Sequence, residues 1–231
     1  MTQSEVPPEP DRQIDPTRMG IVISVGVGFV GITFGVLARG AGLDLGRTCA
    51  MSILVFTGAS QFAVAGVIGS GGTIAAALGA AILLAARNTF YGPVVSDYLK
   101  GPLWKRLLFA HLIIDESAGV SAAQTDDSRA RTGFLVTGLG VFICWNIGTL
   151  IGALAGDLIG DPARFGLDAA FPAGFLALLA PHLRHLRGKA AACIGAGIAL
   201  VAVPLVPVGV PVLLAALAVL PAASIKERFT L

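Results

Sequence analysis

The chain is 231 residues long, 55% hydrophobic and only 13% charged, and its 16 basic and 14 acidic side chains leave a formal net charge of +2. Ordinary soluble domains carry about a quarter charged residues, so a mean hydropathy of +0.82 excludes water as the main solvent and points to an integral membrane protein. The small, scattered charge, with no basic run interleaved with aromatics, excludes a nucleic-acid partner.

Residues 2–18 carry Glu5, Glu9, Asp11 and Asp15 with Pro7, Pro8, Pro10 and Pro16. This reads as a disordered polar tail over 1–18 rather than the basic start of a signal peptide. Residues 19–231 then form a single transmembrane domain, anchored by Met19–Ala38. That run has no charge, and at about 1.5 Å per residue its length matches a hydrocarbon core of about 30 Å. Apolar runs continue at 48–68, 73–95, 107–123, 133–155, 167–183, 190–206 and 208–225. Backbone polar groups in lipid need partners within the segment, so the blocks are predicted to be helices. The expected fold class is all-α: a polytopic membrane helix bundle of seven or eight hydrophobic segments. Cys49, Cys144 and Cys193 fall inside these blocks without CxxC or Cys/His spacing and read as small buried hydrophobes.

Taken in chain order, the second block holds Gly58-Ala-Ser60-Gln61 at its middle. Small and amide residues at that depth point either to a helix that breaks and offers backbone groups to a ligand, or to close helix packing. The third block loses its apolarity at Arg87-Asn88, where a cation would hold a substrate carboxylate, pair with Asp115 or Glu116, or mark a helix end. The fourth block runs from Leu107 through His111 straight into Asp115-Glu116. Lipid cannot solvate two carboxylates, so they face protein or water, as a proton-titrating site or as caps of a short helix. The pair lies about 100° apart on a helix, so the two acids have different jobs. In the fifth block Trp145-Asn146 adds an indole donor and an amide, and Asn146 is expected to bond across helices.

Pro172 interrupts the sixth block, and Pro204–Pro211 reads as a tight turn between the last two helices. Gly35-Val-Leu-Ala, a polar loop and Phe56-Thr-Gly are echoed by Gly152-Ala-Leu-Ala, a polar loop and Phe171-Pro-Ala-Gly. Such an internal repeat with broken helices in both halves is the sequence pattern of a transporter's binding site. Basic residues favour the N-terminus inside by a slight margin if all blocks cross. If the fourth block dips in and returns, only Arg12, Arg18 and Arg164 stand against the rest, the N-terminus is outside, and the repeat is inverted. The second arrangement divides the charges more cleanly. HExxH, Walker A, GxSxG and GxGxxG signatures are absent, and no cofactor is implied.

Gly31-Ile-Thr-Phe-Gly-Val-Leu-Ala, Phe56-Thr-Gly-Ala-Ser-Gln-Phe, Arg87-Asn-Thr-Phe-Tyr-Gly, Asp115-Glu-Ser, Trp145-Asn-Ile-Gly-Thr, and Asp168 with Phe171-Pro-Ala-Gly-Phe occur in this order. Over roughly 20–225 the chain thereby resembles the AzlC family of branched-chain amino acid exporters, as its large permease subunit. The resemblance implies a secondary exporter of hydrophobic amino acids in the bacterial cytoplasmic membrane, not an enzyme, working with a small AzlD-like membrane subunit. It implies Ser60, Gln61, Arg87, Asn88 and Asn146 for the substrate, and Asp115 or Glu116 for coupling to an ion gradient, with protons as the expected ion. Family members often read Asn-x-Arg-His where this chain has Ala85-Ala-Arg87-Asn88, and Thr where it has Ile114. The alternatives are a non-transporting membrane scaffold subunit and an intramembrane enzyme using Asp115/Glu116.

Overall fold

The computed structural model describes residues 15–96, 100–159, 176, 179–180 and 182–225. The described elements are all helical, and their outer surface is unlike that of a water-soluble domain. Leu54, Ile74, Ile82, Phe90 and Leu200 lie on the outside, whereas the interior combines apolar side chains such as Phe34, Leu37 and Phe134 with the buried polar Ser24, Thr48, Ser52, Gln61, Thr137 and Thr149. A surface of large aliphatics around an interior that also holds small polar residues suits hydrocarbon as the solvent, because lipid accepts the first and gives the second no partner. The protein is a membrane helix bundle.

Its centre is the pair α1 (Pro16–Gly40) and α8 (Asp127–Ile159). Asp15 caps α1 by accepting from the Thr17 N–H at 3.0 Å, and Pro16 fills the first turn, where a missing N–H costs nothing. The helix therefore begins inside the stretch read as tail. Gly20, Gly28, Gly31 and Gly35 of α1 face Gly140, Gly148, Gly152 and Gly156 of α8. A β-carbon on Gly31 would stand 2.7 Å from the Trp145 carbonyl oxygen, and on Gly148 or Gly152 it would collide with the backbone of Gly28 or Ile32. Hydrogen in place of a side chain lets the backbones touch, and dispersion between them holds the helices together.

The two helices run in the same direction, since contacts advance together from Gly20 with Thr137, through Gly28 with Cys144, to Arg39 with Gly156. The repeated tetrapeptides meet at this crossing, where a β-carbon on Gly35 would lie 3.0 Å from the Gly152 carbonyl carbon. The helices that carry the two tetrapeptides are parallel, not inverted as a dipping fourth block entails.

Among the described residues, Pro16–Gly40, Asp127–Gly156 and Ile74–Tyr91 are long and apolar enough to cross a bilayer, while Ala59–Gly69 and Val210–Ala223 are apolar but shorter. Several predicted blocks are interrupted. The second is α2 (Leu45–Leu54) and α3 (Ala59–Gly69), separated at Val55–Gly58. The third is α4 (Ile74–Ala85), which tightens into a 3-10 helix (Ala86–Tyr91) and ends in α5 (Gly92–Val95). The fourth is α6 (Leu103–His111) and α7 (Asp115–Ala122), parted at Leu112–Ile114.

Beyond α8 the chain forms α9 (Leu186–Ala202), then α10 (Val210–Ala215) and α11 (Val219–Ala223) joined by a short 3-10 turn. The proline-marked turn falls between Ala202 and Val210, with Gly209 at φ 92°. Cys49 and Cys144 are half-buried, but Cys193 is exposed on α9, because a bundle in lipid turns small apolar residues outward as readily as inward. Pro172, Asp168 and Phe171-Pro-Ala-Gly lie outside the described residues.

Candidate substrate site at two helix breaks

Breaking a helix frees carbonyls that lipid cannot satisfy, and this chain answers them with side chains from nearby elements. At the first break His111 Nε2–H donates to the Ile53 carbonyl at 2.8 Å, and the Gln61 Nε2 amide adds a second hydrogen bond, at 3.0 Å, to the Met51 carbonyl, which also accepts from the Val55 N–H. Gly58 starts α3 at φ 59°, a conformation that disfavours any side chain. At the second break the Ser117 hydroxyl accepts from the Ile114 N–H at 3.1 Å and donates to the Leu112 carbonyl at 2.7 Å. His111 closes α6 and reaches α2, so one hydrogen bond ties the two breaks together. Its ring packs against Phe56 (centroids 5.9 Å apart) and Phe142 (5.7 Å).

The charged residues gather at the same place. Arg87, in the 3-10 segment, pairs through Nη1 with Asp115 Oδ2 at 2.8 Å, and both side chains are roughly two-fifths exposed. Asp115 and Glu116 are the first two residues of α7, where the positive end of the helix favours negative charge. The acids thus open a short helix whose N-cap is Ile114 rather than either of them, and Asp115 meets Arg87. Glu116 forms no ion pair among the described residues. Tyr91, in the same 3-10 segment as Arg87, lies near the Asp115 carboxylate.

Behind the first break stands an aromatic group. Trp145 stacks on Phe34 with centroids 5.9 Å apart and 18° between planes, and meets Phe62 edge-on at 6.2 Å. All three are buried, and the indole edge reaches Gly58, 3.9 Å from where a β-carbon would stand.

The remaining candidates divide. The Ser60 hydroxyl donates to the Ala81 carbonyl at 3.0 Å, fastening α3 to α4. The Asn146 amide donates to the Phe142 carbonyl at 2.7 Å, one turn back in its own helix rather than across helices; that acceptor is already within reach, so no neighbour is needed. Asn88 Oδ1 is buried without a partner. Among the described residues, the buried side-chain atoms lacking a hydrogen bond are Thr57 Oγ1, Gln61 Oε1, Arg87 Nε, Asn88 Oδ1, Asp115 Oδ1, Thr137 Oγ1 and Trp145 Nε1. Apart from Thr137, they belong to the first break, the aromatic group, or the Arg87–Asp115 pair and Asn88 beside it. Each is costly to leave bare, by about 1–3 kcal/mol, and their concentration makes this region the candidate functional site.

His111, Thr57 and Tyr91 were not singled out for the site by the residue pattern. The signal for His111 was its position one turn before Asp115, and the carbonyl it reaches lies 58 positions away in sequence.

The AzlC protein family matches residues 22–159, which run from α1 through α8 and contain both breaks, the ion pair and the glycine-packed helices. An uncharacterized membrane protein of Archaeoglobus fulgidus is 33% identical over 179 residues, covering 74% of this chain and 75% of that protein. One from Helicobacter pylori is 26% identical, covering 80% of this chain and 82% of its own length. The branched-chain amino acid transport protein AzlC of Bacillus subtilis is 27% identical over 161 residues, which is 68% of this chain and 63% of that protein. No solved structure matches the chain. With its family match spanning the scaffold and the site together, this chain belongs to the AzlC family of membrane proteins.

Proposed function

We propose that this protein is a secondary transporter that exports branched-chain and other hydrophobic amino acids across the bacterial cytoplasmic membrane, as a multi-pass protein working with a small AzlD-like membrane subunit. The observation that carries the reading is the collection of buried, unpartnered polar atoms beside an ion pair where two interrupted helices meet. Interrupted helices at mid-membrane are how transporters present polar groups to a substrate without exposing them to lipid. Gln61, Arg87 and Asn88 contact the substrate's polar ends. Ser60 and Asn146, whose side chains are engaged with Ala81 and Phe142, shape the site from α3 and α8. The buried faces of Phe34, Phe62 and Trp145 suit an aliphatic side chain. Export against a gradient needs an energy source, and a carboxylate of the Asp115-Glu116 pair carries the coupling proton.

Parallel α1 and α8 bear on topology. Helices that cross in the same direction require an odd number of crossings between them, and the blocks at 48–68, 73–95 and 107–123 supply three if each spans. That arrangement puts the N-terminus inside by the slight excess of basic residues on its side.

The test is efflux of labelled valine, leucine and isoleucine from cells expressing the chain with and without its small partner, alongside Asp115→Asn and Glu116→Gln. Efflux above that of empty cells, lost in one of the acid variants while the protein stays in the membrane, supports the proposal. Wild-type efflux equal to that of empty cells with both subunits present refutes it. Efflux by this chain alone removes the scaffold alternative.

A further inference from the structure

The Arg87–Asp115 pair uses only part of each group. Nη1 meets Oδ2 at 2.8 Å, while Arg87 Nε and Asp115 Oδ1 are buried without partners, as is Asn88 Oδ1 on the next residue of the same 3-10 segment. The spare groups are therefore one cationic donor and two acceptors, one of them anionic. A carboxylate matches the guanidinium edge through two parallel hydrogen bonds, and an ammonium with its three donors matches the two oxygens. One class of small molecule carries both ends a bond or two apart: the free α-amino acid.

We infer that a free α-amino acid inserts between Arg87 and Asp115, its carboxylate on the guanidinium and its ammonium on Asp115 and Asn88, so that the substrate's own two charges replace the ion pair. The inference rests on the transporter reading and specifies how that site recognises its substrate. The exchange is electrically balanced: Arg87 always faces a carboxylate and Asp115 always faces a cation, so neither charge is left bare in a poorly hydrated site. Partial exposure of both side chains, 40% and 38%, leaves the pair open to approach. A molecule with one end blocked satisfies one protein charge and strands the other, so the site rejects it. The assignment also separates the two acids. Asp115 is occupied by the substrate ammonium, and Glu116, which forms no ion pair among the described residues, is left to carry the coupling ion.

The test is equilibrium binding to the purified full chain, alone and co-purified with its small subunit, of valine, leucine, isoleucine, leucinamide and N-acetylleucine. Labelled-leucine counterflow in proteoliposomes is measured in parallel. At least one free amino acid binds, and both blocked forms bind about tenfold to a hundredfold more weakly. In Arg87→Gln the discrimination against leucinamide collapses while that against N-acetylleucine persists; in Asp115→Asn the pattern reverses. A pair that only holds helices together would shift both discriminations equally or neither, which overturns the inference. Should either variant fail to fold, the comparison of blocked and free ligands on the unaltered chain decides. Leucine counterflow with blocked forms binding as well as leucine overturns the inference and leaves the transporter reading standing. Absence of both binding and counterflow for all three amino acids overturns the two together.

Discussion

The α1–α8 pair and the two helix breaks meet the same difficulty, a polar backbone in hydrocarbon, in opposite ways. In the pair the helices are continuous and satisfy their own backbone, and glycines strip the contact down to main chain against main chain. At the breaks the backbone is opened, His111 and Ser117 answer freed groups, Gln61 adds a bond to the last turn of α2, and further polar atoms are left over. The scaffold is specified by the side chains it lacks, and the site by polar groups in excess of structural need. Substitutions in the first region should therefore act on stability, and those in the second increasingly on transport alone.

The sharpest division lies within the glycines. Gly152→Val places side-chain atoms into the Ile32 backbone, and overpacking that cannot relax costs about 3 kcal/mol or more. The variant should be lost from the membrane fraction, or melt far below the unaltered protein. Gly26→Ala on α1, with nothing within 4 Å of the new β-carbon, should match or exceed wild-type stability by up to about 1 kcal/mol. Equal melting of the two variants would dissolve the idea of a glycine-packed scaffold.

Gly58→Ala carries the comparison to the first break. Its φ of 59° costs a residue with a β-carbon about 1–2 kcal/mol, so a moderate fall in melting temperature is expected, with transport reduced because α3 starts from this residue. An unchanged melting temperature would mean that the break relaxes freely.

His111→Ala removes the hydrogen bond between the two breaks and strands the Ile53 carbonyl, a cost of about 1 kcal/mol. Hydrogen exchange should then quicken at both 53–58 and 112–115. Quickening at only one of them would show that the breaks are independent.

Gln61→Leu has the smallest expected effect on stability. It loses the bond to Met51 but also removes a buried, unpartnered Oε1. These contributions nearly cancel, to within about 1 kcal/mol. Transport should nevertheless fall by about tenfold, the loss of one good hydrogen bond to the substrate. A steep loss of stability with normal transport per folded molecule would make Gln61 purely structural.

Much of this was legible in the residues. The small polar residues near Gly58 left two readings open, a helix break or close packing, and the structure shows the break; Asp115 and Arg87 stood out as charges where lipid cannot solvate them. The interruption at Leu112–Ile114 was less legible, because Leu112-Ile113-Ile114 is as apolar as an unbroken helix. Only the Ser117 hydroxyl, folding back on Ile114 and Leu112, makes it tolerable. The ridge of Gly140, Gly148, Gly152 and Gly156, spaced by multiples of four with Cys144 between the first two, was present in the text, yet which helix it faces is a non-local fact.

Sequence alone determined the solvent and the class of fold, because both depend on composition and on runs of apolar residues. It also determined which polar residues are too costly to be incidental. Tertiary structure decided which of them meet: that Arg87 finds Asp115 and not Glu116, that His111 reaches Ile53, that Asn146 turns back on its own helix, and that α1 and α8 run parallel. These outcomes depend on distances between residues far apart in the chain, set by the close approach of α1 and α8, and no local pattern of residue types encodes them.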